Sequence, residues 1–556
     1  VYLVDGSFKK VQSTWRFLAF PEKPVFCDLL SENIHQRQIV EFDVFSRFKT
    51  NNLMSTSLFT TSFRRICLSI LFVLLLGGIT PMQAQDRDVD LTLAGVTQSS
   101  VEAHIGFLAS DLLRGRDTPS DGLRIAADYI AAHFKRHGVQ PILPDGYKQP
   151  VRLVNVIPAD EGTMKVGDRD FNAPEQFLQV AGADVAIDAK TVFVNYGTED
   201  DFDGARLKGK IAVTRGGVEG SSNVREMFIE GRRKAERAEK AGALALIELY
   251  NSPQTSWTVL QFYLNTPRMA LEKGEDKAGF PTFWIEDVGN ENLKYLRNHK
   301  GKANVETRGA VRENLLSENV VGFVEGTDPE LKKEYVVYSA HYDHVGVGAP
   351  DAEGDSIYNG TRDNAIGTAT VLEAAANIAQ NPLRRSALFV LFTGEEKGLL
   401  GSEWFVANAP VDLKDIVFNF NSDNAGYNNT EVTTVVGLNR TTAGPIITDA
   451  CKQFGLEAIE DPMPRQNLFD RSDQVNFAKA GIPALMYSLG ATAFDEEVMK
   501  YYHRPADTPT SVDYEYLFKF TKAYVLAGRR IGDMEERPYW TEGDKYYSAG
   551  EELYRP

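Results

Sequence analysis

After "ENVVGFVEG", from about residue 327 onward, short apolar runs alternate with amphipathic ones. The apolar runs are "EYVVYSAH", "SALFVLFT", "DIVFNFNSD" and "IPALMYSLG"; the amphipathic ones include "NAIGTATVLEAAANIAQ", "GSEWFVANA" and "GPIITDACKQFG". Apolar strands alternating with amphipathic helices imply an α/β domain whose sheet is covered on both faces. The expected fold is a central, mostly parallel mixed sheet with helices on both faces. In such sheets ligands sit outside the carboxyl ends of the strands, so the residues that follow each apolar run are the first place to look for chemistry.

The rest of the chain divides by changes of character. Residues 186–310 read as a small β-rich domain inserted into the first: "KTVFVNYG" and "LKGKIAVTRGG" are short strand-like runs, followed by the charged helix "RRKAERAEKAGA" and the run "LALIELY". Residues 86–185 are then the N-terminal part of the larger domain. They hold two helices separated by a Gly- and Asp-rich break within "VEAHIGFLASDLLRGRDTPSDGLRIAADYIAAHFKRHGV". Residues 311–556 form its main part and end in a polar, Tyr-rich tail, "DKYYSAGEELYRP".

Ahead of these, residues 54–85 have the pattern of a secretory signal peptide, with Arg64 and Arg65 before an apolar stretch from Ile66 to about Ile79 and small-residue character at Ala84. That stretch is short for a bilayer span, which takes about 20 residues. Met54 is read as the initiator, residues 1–53 as an over-extended reading frame, and the product as periplasmic or extracellular, with no stable membrane span after cleavage. An uncleaved signal anchor is the alternative.

The formal net charge of −17 over 556 residues argues against a nucleic-acid partner, which calls for a basic face. Of Cys27, Cys67 and Cys451 only Cys451 lies beyond the signal-like segment. The mature chain therefore has no intramolecular disulfide, and a metal site must be built from His, Asp and Glu.

Such residues collect at the strand ends: His341 and Asp343 after "EYVVYSA", Asp363 in "NGTRDNAIG", Glu395 and Glu396 after "SALFVLFTG", Asp423 after "DIVFNFNS", and His503 in "YYHRPADTP". Adjacent glutamates raise one another's pKa unless a cation lies nearby, so Glu395 and Glu396 are either solvated loop acids or neighbours of a metal or substrate. Asp363 has a second reading as a helix N-cap, and Asp507 is a candidate partner for the His503 ring. Two histidines with several carboxylates and no cysteine suit zinc in a hydrolytic site. There is no HExxH to make the helix-borne version. A pair of metals needs a shared ligand, and a carboxylate can bridge two ions.

In order, "SAHYDHVG", "NGTRDNAIGTA", "FTGEEKGLLGS", "NSDNAG", "RSDQVNFAKAGIPAL" and "YYHRPADT" resemble the motifs of the co-catalytic zinc exopeptidases, the family of bacterial aminopeptidases and glutamate carboxypeptidase. The likeness covers about residues 90–530. The inserted region, through "LKGKIAVTRGG" and "KAERAEKAGALALI", resembles a protease-associated domain. The resemblance implies two zinc ions per chain. His341 and Asp423 would hold one, Glu396 and His503 the other, with Asp363 bridging both. Glu395 would be the base that takes a proton from the bridging water, Asp343 would hydrogen-bond and orient His341, and Tyr502 would donate to the developing oxyanion.

The sequence departs from the family's pattern at Arg362, Ile366, Asn424, Ala425, Gln474 and Arg504. Arg362 and Arg504 either place positive charge near the pocket, favouring acidic substrates, or pair with nearby acids at the surface. The resulting expectation is an exported zinc exopeptidase of peptide substrates, an aminopeptidase first. The alternatives are a carboxypeptidase or dipeptidase of acidic peptides, and a binding protein of the same fold without catalysis. The oligomeric state is not legible in the sequence.

Overall fold

The apolar runs pair into a nine-stranded mixed sheet in the order 457–459, 432–436, 484–489, 416–422, 335–341, 386–392, 311–324, 148–157 and 268–271. This is a computed structural model, and it describes residues 86–555 apart from 160, 222, 273 and 275–278. The readings of residues 1–53 as an extended frame and of 54–85 as a signal peptide lie outside the described residues. Among the described residues no helix is long and apolar enough to cross a membrane.

The central strands Tyr335–His341, Ser386–Phe392 and Ile416–Ser422 run parallel, and the last also pairs in parallel with Ala484–Leu489. The strands Ser386–Phe392 and Ile416–Ser422 are buried at every residue, as expected where helices cover both faces. One covering helix, Asp121–His137, shows why the sequence winds there. Ser120 caps the start by accepting from Leu123 N–H, and Gly138 stops it in the left-handed conformation at φ 79°. Between these ends Leu123, Ala126, Ala127, Ile130 and Phe134 fall on one stripe and are buried in the largest core. The closing helix Tyr514–Asp533 covers the same face and carries Tyr524, whose ring stacks on Phe420 at 4.2 Å.

A second, eight-stranded sheet has its own core around Val213, Ile247, Phe283 and Val305. The chain enters it at strand Gly162–Val166, well ahead of residue 186, where the sequence first changes character, and leaves it at Thr307. The hairpin Gly162–Val166 with Arg169–Ala173 forms this early edge, and the strand Arg268–Leu271 returns from the insertion to pair with Lys148–Ile157 of the first sheet.

The Tyr-rich tail is packed against the larger domain: Asp544 pairs with Arg440 at 2.6 Å and Tyr554 donates its hydroxyl to the Ile416 carbonyl at 2.6 Å. Just ahead of it Trp540 is buried, donating Nε1–H to the Gly481 carbonyl at 3.0 Å.

Candidate metal centre

His341 is the last residue of strand Tyr335–His341, and Glu395, Glu396 and Asp423 follow the neighbouring strands Ser386–Phe392 and Ile416–Ser422. Because the three strands are parallel and adjacent, these side chains emerge side by side at the carboxyl edge of the sheet. Gly394 precedes the glutamate pair at φ 66°, a turn that glycine makes without strain. Asp363 enters from the irregular turn Thr361–Ile366 and His503 from a turn before the closing helix. The helix after Asp363, Gly367–Gln380, has no side-chain cap, so Asp363 is not an N-cap.

Seven donors gather in two groups. His341, Glu395 and Asp423 form one, and His344, Asp363, Glu396 and His503 the other; within each group the ligand atoms lie within 4.8 Å of one another. Asp363 faces both. Its Oδ1 is 3.2 Å from His341 Nε2 and its Oδ2 is 3.0 Å from His503 Nε2. Asp423 Oδ1 is 3.1 Å from His341 Nε2, and Glu396 Oε1 is 3.3 Å from His503 Nε2.

The electrostatics are those of a site short of positive charge. Burial alone would push the His341 imidazole down, but the Asp423 and Glu395 carboxylates hold it well above its usual value. Burial likewise opposes charge on His503, and its contacts with Asp363 and Glu396 raise it to about 10. Glu395 is driven well up by burial, with the Asp423 and Glu396 carboxylates adding to the shift. Glu396 goes the other way, to about 2, because hydrogen bonds from His344 and His503 outweigh its burial and the charge of Asp363. Four carboxylates packed this closely call for cations between them. The donors, nitrogen and oxygen without sulfur, fit zinc in a hydrolytic site.

Asp343 Oδ1 lies 3.6 Å from His341 Nδ1, an ion-pair distance, while the nearer contact to that nitrogen is the Asp343 carbonyl at 3.2 Å. The Asp343 carboxylate instead accepts from Thr118 Oγ1 at 3.0 Å and from Glu395 N–H at 3.2 Å. It thus ties the loop after one strand to the loop after the next. Tyr502 lines the cleft and stacks on His503, ring centroids 4.2 Å apart. Burial and the Asp363 and Glu396 charges raise its pKa, so the phenol stays protonated and able to donate.

The two arginines suspected near the pocket do not line it. Arg362 is buried and pairs with Asp507 at 2.7 Å, its guanidinium 3.7 Å over the Tyr501 ring. That contact also claims Asp507, which accepts from Arg362 N–H at 2.8 Å and so is engaged away from the His503 ring. Arg504 is exposed. Gln474 is buried, accepting from Asn421 Nδ2 at 2.9 Å and donating to the Phe469 carbonyl.

Sequence reasoning missed His344 and Arg116. His344 sits one residue beyond Asp343 in "HYDH", is buried, and places Nδ1 2.8 Å from Glu396 Oε1. Its Nε2 has no partner among the described residues. The repeat of His at both ends of "HYDH" was the available signal. Gly360 lets its ring approach, since a Cβ there would lie 2.5 Å from it. Arg116 is fully buried beneath the site, donating to the carbonyls of Tyr342, Asn359, Gly360 and Leu108. It pins the loops that carry His344 and Asp363. Nothing in "LRGRD" marks it.

Residues 319–527 match peptidase family M28. Over 396 residues the chain is 27% identical to aminopeptidase YwaD of Bacillus subtilis (strain 168), an alignment spanning 70% of this chain and 76% of that protein. Over 160 residues it is 28% identical to leucine aminopeptidase 1 of Trichophyton equinum, spanning 26% of this chain and 41% of the fungal protein. Among solved structures, the aminopeptidase from Aneurinibacillus sp. strain AM-1 superposes with a TM-score of 0.51 at 22% identity, covering 81% of this chain and 97% of that one. That last likeness is one of fold.

Proposed function

We propose, from the match of residues 319–527 to peptidase family M28, that this protein is a metallopeptidase that removes N-terminal residues from peptides with two zinc ions per chain. The observation that carries the two-ion reading is Asp363, whose two oxygens face His341 at 3.2 Å and His503 at 3.0 Å. In this reading His341 and Asp423 would hold one ion, Glu396 and His503 the other, and Asp363 would contribute to both. The bound ions supply Lewis-acid polarisation of the scissile carbonyl and a water of lowered pKa.

The protein's own groups do the rest. Glu395, left over from the ligand set, accepts the proton of the attacking water and passes it to the departing amine. The Tyr502 phenol donates to the oxygen on which charge develops. Asp343, through Thr118 and the Glu395 N–H, keeps the base at its distance from His341.

The aminopeptidase direction is supported by the aminopeptidases among the relatives. The buried pairing of Arg362 with Asp507 removes one of the two hints that favoured acidic substrates. Export through residues 54–85, to the periplasm or beyond, and a protease-associated role for the inserted sheet belong to the same proposal; they are supported by residue pattern and motif likeness.

Metal analysis by plasma mass spectrometry, on protein beginning near Asp86, tests the reading alongside hydrolysis of aminoacyl-nitroanilides and N-blocked peptides. About two zincs per chain and cleavage of free-amine substrates alone are expected. Cleavage of N-blocked peptides would reverse the direction, and protein that binds no metal would remove the reading.

A further inference from the structure

The cleft that holds the carboxylates is also lined by residues of different character, Val436, Met463, Leu468, Met486 and Phe494, with Arg471 among them. Arg471 ends the short turn Leu468–Arg471 and is exposed. Its guanidinium makes no hydrogen bond or ion pair with a described residue. The acids on either side of it in the chain are not its partners. Asp470 is held by Lys545 at 2.8 Å and by Tyr546 at 3.2 Å, both from the C-terminal tail. Asp473 is buried and has the Ser402 hydroxyl as its neighbour. The tail therefore engages the half-buried acid beside Arg471.

A peptide entering such a cleft brings an ammonium, a carbonyl, a side chain and, if it is short, a terminal carboxylate close to the scissile bond. The carboxylates of the site suit the ammonium, and the apolar wall suits an apolar side chain. An acidic first side chain would have to desolvate against that wall, which is unfavourable. What remains is a guanidinium without a hydrogen-bond or ion-pair partner among the described residues, and its planar fork matches a carboxylate in two-point contact. We propose that Arg471 binds a substrate carboxylate, the C-terminal one of a dipeptide or tripeptide, so that the enzyme prefers very short peptides. This rests on the aminopeptidase reading and gives that reading its substrate class.

The test compares Leu-Ala with its C-terminal amide, Leu-Ala-NH2, and Glu-Ala with Leu-Ala, in the wild-type protein, R471M and R471K. Wild type is expected to favour Leu-Ala over the amide about tenfold or more in kcat/KM, the scale of a charge-assisted hydrogen bond. The preference should sit mainly in KM, fall to near one in R471M, and survive in part in R471K. A wild-type ratio near one, or a ratio that persists in R471M, overturns the proposal. So does a preference for Glu-Ala that R471M removes, because the carboxylate would then be a side chain. If no free-amine peptide is cleaved, the aminopeptidase reading fails by itself. Calorimetric binding of a ketomethylene Leu-Ala analogue and its amide then decides the role of Arg471 on its own, by the same ratio.

Discussion

His344 Nδ1 lies 2.8 Å from Glu396 Oε1, a contact that joins residues 52 apart in the chain. The contact fixes one oxygen of a carboxylate that also faces His503. Groups that hold a metal ligand in place typically change metal affinity or activity about 10- to 100-fold when removed. H344A is therefore expected to release zinc at about 10- to 100-fold lower chelator concentration and to lose activity in proportion. Chelator titration followed by zinc analysis measures this directly; wild-type retention of zinc would reduce His344 to a packing residue.

Glu395 stands within ligand distance of His341 and Asp423, so the geometry alone would let it bind metal. The proposed role as base separates from that one in E395Q. Loss of the base should lower kcat by about 10²- to 10⁴-fold with KM changed little, and the zinc content should stay as in wild type. A variant that loses zinc together with activity would make Glu395 a ligand.

The sheet and the strand-end residues were legible because strands buried on both faces must be apolar throughout, and their ends must then carry the polar chemistry. "EYVVYSAH" and "DIVFNFNSD" show this directly, and His341 and Asp423 follow from them. What was not legible depends on chain segments far apart. Glu396 reaches His344 across 52 residues and Asp507 reaches Arg362 across 145. The hairpin of Gly162–Val166 and Arg169–Ala173 was missed because its strands have five residues each, half of them polar, with no long apolar run. The tail reads as polar because it packs through single polar contacts, those of Asp544, Tyr546 and Tyr554, rather than an apolar run.

Arg362 and Asp507 are each almost fully buried and joined at 2.7 Å, so the arginine's work is structural. Removing one partner leaves a buried charge unpaired, which costs about 3–5 kcal/mol. R362L is expected to lose stability of about that size in urea unfolding, and the double variant R362L/D507L to recover part of it. Selectivity between Glu- and Leu-initiated peptides, measured on whatever fraction folds, should be unchanged. A shift in selectivity would put the arginine back at the pocket.

A cluster of three histidines, His104, His133 and His137, lies apart from the candidate metal ligands. His133 packs its ring 4.6 Å from that of His104 and 4.4 Å from that of His137, with Nε2 3.2 Å from the Leu372 carbonyl. Glu373 and Tyr129 contact His104 from the other side, and Arg136 adds positive charge. Burial first, then the neighbouring histidines, lower the His133 imidazole to about 3. In the unfolded chain it titrates near 6.5. Between these values the unfolded state binds the extra proton, so the contribution of His133 is complete above pH 6.5 and is lost as pH falls towards 3. The wild-type unfolding free energy should therefore drop faster than that of H133Q from pH 7 to 5, by at most about 2 kcal/mol. Urea unfolding at the two pH values in both proteins gives the difference, and parallel losses would mean that His133 ionises freely in the folded chain.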